Sequence, residues 1–187
     1  MGALAPIVLA SRSPQRRELL TRLKLDFTVR VSEAEELEQG DPDVVTVENA
    51  LRKARAVRRA DVPETIVGCD TVVVLDGHIY GKPADEKAAL ATAGALAGRT
   101  HEVVSGLAVL IAGEERTAVA RTAVTFRALD ADGIASYVST GEWRERSGGY
   151  AIQGEGSKLV ESIEGEIENV VGLPLSVLLQ LCPELRA

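Results

Sequence analysis

The sequence predicts an α/β protein: a mixed, twisted sheet with flanking helices and two lobes around a central cleft. Three observations carry that expectation. Apolar strand-like runs alternate with stretches bearing a helical apolar stripe, the order of a sheet covered by helices. Two hairpin signals interrupt the alternation, so the sheet is mixed rather than purely parallel. Finally, 187 residues, 45% of them hydrophobic, are enough to bury a core without disulfide or metal staples, and residues 1–187 are read as one domain.

The elements follow in order. "IVLA", Ile7 to Ala10, is a buried-strand run. Ser13 can N-cap the helix after it, with Pro14 at the first helical position, where a missing N–H costs nothing. Leu19, Leu20 and Leu23 supply that helix's apolar stripe, and "FTVRV", Phe27 to Val31, reads as a strand. After the acidic loop "SEAEELEQGDPD", Thr46 opens a helix through about Ala60, with Ala50, Ala54 and Val57 on one side. "TIVGCDTVVVLDGHIYGKP" gives two strands around Asp76-Gly77, a strong two-residue hairpin signal. Asp85 to Ala97 is an Ala/Leu-rich helix stopped by Gly98, and a second hairpin turns near Gly113. Asp130 caps "ADGIASYVST", which ends at Gly141, and Pro174 opens a last helix, "LPLSVLLQL".

Composition narrows the function classes. The net charge of -7 argues against a broad nucleic-acid-binding surface, which would show basic clustering. No stretch approaches the roughly 18 apolar residues of a membrane span, and the start lacks the basic and apolar regions of a secretion signal. The cytoplasm is therefore the expected location, with Cys69 and Cys182 as free thiols.

Four stretches could carry chemistry. The first is "LASRSPQRREL", where a strand turns into a helix with Arg16 and Arg17 in its first turn. Cations there oppose the helix dipole, so a negative partner is expected. Free N–H groups at a helix start bind phosphate, Ser11 and Ser13 add hydroxyls, and Arg16 adds a planar fork. The second is the hairpin carrying Asp70 and Lys82, an acid able to accept a proton from water and a cation able to stabilise phosphate oxygens. A two-residue turn sets Thr71 opposite Lys82, and strict alternation points Asp70 and Lys82 to opposite faces; a shared site needs a bulge or slipped register. The third is the run Glu33, Glu35, Glu36 and Glu38, oxygen ligands of the kind Mg²⁺ combines with substrate phosphates. The fourth, "GEWRERSGGYAIQGEGSKLV", has glycines that permit close backbone approach. Trp143 and Tyr150 offer flat surfaces there, and the Gln153 amide could read a base edge. Several familiar signatures fail. "GHIYGKP" is too short for a P-loop, no G-x-G-x-x-G separates a strand from a helix, and neither His78 nor His101 has zinc-spaced partners.

Together "LASRSPQRRELL", "ENALRKA", "GCDTVVVLDGHIYGKP", "YVSTGEWRERSGGYAIQGEG" and "NVVGLPL" resemble the Maf family of nucleoside triphosphate pyrophosphatases, in the family's order and across nearly the whole chain. The resemblance implies a two-lobed fold akin to the inosine triphosphate pyrophosphatases, often a homodimer. It implies hydrolysis of a nucleoside triphosphate to the monophosphate and pyrophosphate, dependent on Mg²⁺ or Mn²⁺. Asp70 matches the family's general base, and Arg16, Glu36, Lys53 and Lys82 match its other charged site positions. Ser11 and Ser13 fall in the phosphate-holding turn, and Glu36 with Asp70 is the implied metal pair. Thr71 and Gln153 match the branch acting on dTTP and UTP. Gln15 stands where that branch has Arg and where the 7-methyl-GTP branch tends to have Trp. Ser147 replaces the usual Ala before the paired glycines. Two alternatives stay open: a pyrophosphatase for 7-methyl-GTP or another modified nucleotide, and a nucleotide-binding regulator of septum formation without significant catalysis.

Overall fold

The alternation of strands and helices closes into one seven-stranded sheet in the computed structural model, which describes residues 5–186. Its strands are β1 (Ile7–Leu9), β2 (Phe27–Val29), β3 (Thr65–Leu75), β4 (His78–Tyr80), β5 (Thr100–Ile111), β6 (Glu114–Phe126) and β7 (Val160–Glu164). The helices are α1 (Pro14–Thr21), α2 (Pro42–Ala56), α3 (Glu86–Leu96), α4 (Ala131–Ser139), α5 (Ile167–Val171) and α6 (Leu175–Leu181). The path runs β2-β1-β3-β5-β6-β7, with β4 on β3 beside it. Strands β2, β1 and β3 are parallel and the other pairs antiparallel, so the sheet is mixed, as the hairpin signals implied.

Both tight turns have the backbone their residues favour. Asp76 and Gly77 adopt φ of 51° and 77°, and Ala112 and Gly113 adopt 50° and 86°. Two successive positive φ values match the twist of the flanking strands. Helix α2 starts earlier than expected: Asp41 caps it through the N–H groups of Asp43 and Val44, and Pro42 occupies its first turn. The Asp-Pro pair, not Thr46, is the start signal, and the helix ends at Ala56 rather than near Ala60. Strand β2 is also shorter than expected, stopping at Val29. The short helix α5 had no sequence expectation behind it.

Alternation along β3 separates two faces. Gly68 and Asp70 face α2: a Cβ at Gly68 would lie 2.3 Å from the Ala50 carbonyl oxygen, and one at Gly106, across from Asp70, 2.2 Å from the Thr46 carbonyl carbon. Only glycine allows the helix backbone to lie so close. The opposite face carries two apolar clusters. One gathers Leu9, Leu19, Leu20, Cys69, Leu107 and Leu178; the other gathers Val73, Val103, Phe126, Tyr137, Trp143 and Tyr150. Between them on β3 and β5 lie Thr71 and Ser105, polar and hydrogen-bonded at 2.9 Å. This polar seam divides the two lobes.

Candidate active site

The site forms where β3 lacks a neighbour along one edge. Strand β1 pairs with Thr65 to Val67 and β4 with Val73 to Leu75, while β5 covers the other side continuously from Ile66 to Val74. Residues 68–72 are therefore open along that edge, at the carboxyl end of parallel β1, where open α/β sheets bind ligands.

Asp70 is 7% exposed and has both carboxylate oxygens engaged. Lys53 Nζ donates to Oδ1 at 2.6 Å and Asn49 Nδ2 to Oδ2 at 2.9 Å. Both donors come from α2, four residues apart on the face that Gly68 and Gly106 bring against the sheet. Lys53 also reaches Glu36 Oε1 at 3.1 Å, so the acidic loop is represented here by one of its four glutamates. Another, Glu33, pairs in solvent with Arg12 at 3.6 Å.

Arg16 enters from the opposite face. Its Nε donates to the Gly172 carbonyl at 2.8 Å, Nη2 to Thr71 Oγ1 at 3.0 Å and Nη1 to Ser11 Oγ at 3.4 Å. The carbonyl that Nε engages lies just past the end of α5, where Gly172 takes φ of 125°. Ser13 caps α1 by accepting from Arg16 N at 3.4 Å, and its hydroxyl donates to Gln15 Oε1 at 3.1 Å. Ser11 is buried and accepts from the Ser13 amide at 3.2 Å.

Lys82 does not meet Asp70. Strand β4 ends at Tyr80, so the chain has left the sheet before Lys82, which pairs with Glu145 at 3.0 Å. That ammonium holds the Glu145 carboxyl below the usual range, with a smaller contribution from Arg12. The loop carrying Lys82 is mounted on the glycine turn: Gly148 N donates to Gly81 O at 3.0 Å, and Ser147 Oγ donates to the Thr71 carbonyl at 2.8 Å. Ser147 thus fills part of the open β3 edge. Gln153 is solvent-exposed.

One reading of the glycine-rich stretch is corrected. Trp143 and Tyr150 are not open platforms; both are buried in the second cluster, with Trp143 Nε1 donating to the Val138 carbonyl at 3.0 Å. Their apolar area is worth more in the core than facing water. Both cysteines are free and buried, and burial raises the Cys69 thiol, which makes it a poor nucleophile despite its place beside Asp70. Sequence reasoning missed Asn49, Ser105 and Gly172. The Asn49 and Lys53 pair, four apart on one helical face, was a usable signal; the register bringing Ser105 to Thr71 was not.

Among the described residues, no three His, Cys, Asp or Glu side chains converge as a protein-only metal cage. Glu36 and Asp70 nevertheless share a single cationic partner, Lys53, so two carboxylates border one point. That donor set suits an ion that draws its remaining ligands from a substrate's phosphates.

Comparison with known proteins adds a family and relatives. The family model described as Maf-like protein matches residues 6–185. A dTTP/UTP pyrophosphatase of Moorella thermoacetica is 48% identical over 176 residues, covering 92% of this chain and 91% of that protein. One from Thermococcus gammatolerans is 44% identical over 175 residues, covering 94% of each. One from Deinococcus radiodurans is 42% identical over 176 residues, covering 94% of this chain and 90% of that one.

Proposed function

The chain belongs to the Maf-like protein family, and from that premise we propose that it hydrolyses nucleoside triphosphates, dTTP and UTP foremost, to the monophosphate and pyrophosphate. The observation that carries this reading is Asp70, held by Lys53 and Asn49 on the open edge of β3, with Arg16 bonded to the next residue, Thr71, on the sheet's other face. A carboxylate fixed beside cations suits abstraction of a proton from water next to a polyanion.

Ser11, Ser13 and Arg16 bind phosphate oxygens, and Lys53 and Lys82 exchange their carboxylate partners for the triphosphate. Asp70 takes a proton as the water oxygen bonds to the α-phosphorus. The α–β anhydride then breaks, and its electron pair leaves with pyrophosphate. A divalent cation, Mg²⁺ or Mn²⁺, held by Glu36 and Asp70, would neutralise charge on the phosphates. Thr71, Gln153 and Gln15 set the base preference. Gln15 offers a neutral group where an arginine would make a charge-assisted bond, so efficiency falls or tolerance broadens while pyrimidines remain preferred. The homodimer rests on the family resemblance, and the cytoplasmic location on the composition of the chain.

The test is phosphate release, coupled through inorganic pyrophosphatase, from dTTP, UTP, CTP, ATP, GTP and 7-methyl-GTP, with Mg²⁺ and with a chelator. The outcome expected is highest kcat/KM for dTTP and UTP, loss of release on chelation, and a drop of roughly 10²-fold or more in Asp70→Asn. A preference for 7-methyl-GTP would overturn the pyrimidine assignment, and near-normal turnover by Asp70→Asn would overturn the base.

A further inference from the structure

Asn49 is 1% exposed, and its carboxamide occupies a central place in this network. Its Nδ2 donates to Asp70 Oδ2 at 2.9 Å and to the Leu37 carbonyl at 2.9 Å, while its Oδ1 accepts from the Leu37 amide at 2.7 Å. Both N–H donors and one oxygen lone pair are used. The orientation is fixed by its partners: turning the amide over would set its oxygen against the Leu37 carbonyl and the Asp70 carboxylate.

Leu37 adjoins Glu36 in the acidic loop. One side chain therefore grips both polar backbone atoms of Leu37 in that loop and one oxygen of Asp70. Lys53, a helical turn further along α2, completes the arrangement by binding Glu36 and the other Asp70 oxygen. We propose that Asn49 is a positioning residue, which fixes the Asp70 carboxylate directly and, through the Leu37 backbone, sets Glu36 beside it. The assignment rests on Asp70 as the proton acceptor. An amide suits the role because it supplies a donor to the carboxylate without a second positive charge. The oxygen of Asp70 that Lys53 does not hold is thereby kept from rotating.

A double-mutant cycle tests this. Asn49→Ala lowers kcat at least tenfold with KM for the nucleotide within threefold. In an Asp70→Asn background the same change costs less than twofold, because the group it positions has already been disabled. Equal losses in both backgrounds would show a role in folding alone and overturn the proposal. Asn49→Asp, of the same shape, covers the case in which truncation unfolds the chain. Alone it sets carboxylate oxygens against both Asp70 and the Leu37 carbonyl and lowers the melting temperature, whereas the exchange Asn49→Asp with Asp70→Asn relieves the first opposition and recovers part of the loss. Failure of the exchange to recover stability would count against direct contact. Should Asp70→Asn by itself keep turnover, the site assignment falls and this proposal with it; an inactive Asp70→Asn with additive losses removes only the role of Asn49.

Discussion

Arg16 and Arg17 are neighbours in sequence, yet they have different fates because successive helical residues point about 100° apart. Arg16 is drawn into three hydrogen bonds across the seam, while Arg17 remains exposed on the outer side of α1. Hydrogen bonds to charged groups are worth roughly 1.5–3 kcal/mol, about one to two powers of ten in affinity. Arg16→Ala is therefore expected to raise KM for the triphosphate about tenfold or more, and Arg17→Ala less than twofold. Steady-state kinetics of the two variants decide the matter, and equal effects would remove the phosphate fork. The sequence made Ser11, Ser13, Arg16 and Asp70 legible as candidates because each is a suitable chemical type in a strand or at a helix start, while Lys53 entered through the family resemblance. Asn49 and Gly172 escaped notice because their contribution lies in partners far along the chain, Asp70 and Leu37 for one and Arg16 for the other.

Helix α2 brings both groups that hold the Asp70 carboxylate, and it can do so only because Gly68 and Gly106 leave the sheet bare beneath it. A methyl group at Gly106 would stand 2.2 Å from the Thr46 carbonyl carbon, a contact with backbone that no rotamer change relieves. Gly106→Ala must lift the helix, at an overpacking cost of about 1–3 kcal/mol. At this size that is a fall in Tm of roughly 3–10 °C. Turnover should fall further than stability alone explains, because Asn49 and Lys53 ride on the displaced helix. Gly94→Ala in α3, whose new methyl meets only Ile134 at 4.0 Å, is the control expected to stay stable and active. If Gly106→Ala melts and turns over like the wild type, close approach of α2 is not what builds the site. Most elements could be read from periodicity and turn chemistry, including both hairpins. The glycine contacts could not, because close approach is a relation between a strand and a helix that neither local pattern contains.

At the scale of the molecule, β3 and β5 run through both apolar clusters, so the lobes share a backbone and should unfold as a unit. A buried histidine provides a way to test this. His101 on β5 packs edge-on against Phe126 and Tyr150, with ring centroids at 4.9 and 5.5 Å, and its Nε2 meets the Tyr150 hydroxyl at 2.9 Å. Burial pushes its pKa down from 6.5 to about 4. Below pH 6.5 the unfolded chain therefore takes up a proton that the folded chain refuses until about pH 4. Stability from this residue is complete above pH 6.5 and is lost as the pH falls, by about 2 kcal/mol at pH 5. His101→Gln keeps a polar atom near Tyr150 but cannot titrate. Urea unfolding at pH 7.5 and pH 5 should show the wild type losing about 2 kcal/mol more than the variant. The single tryptophan, Trp143, lies in the second cluster and reports on that lobe by fluorescence, while far-ultraviolet dichroism reports on the whole sheet. In the wild type the two transitions should move together towards lower urea as the pH falls. Equal pH dependence in both proteins would remove His101 as the cause, and a fluorescence transition that moves alone would show that the seam at Thr71 and Ser105 lets the lobes unfold separately.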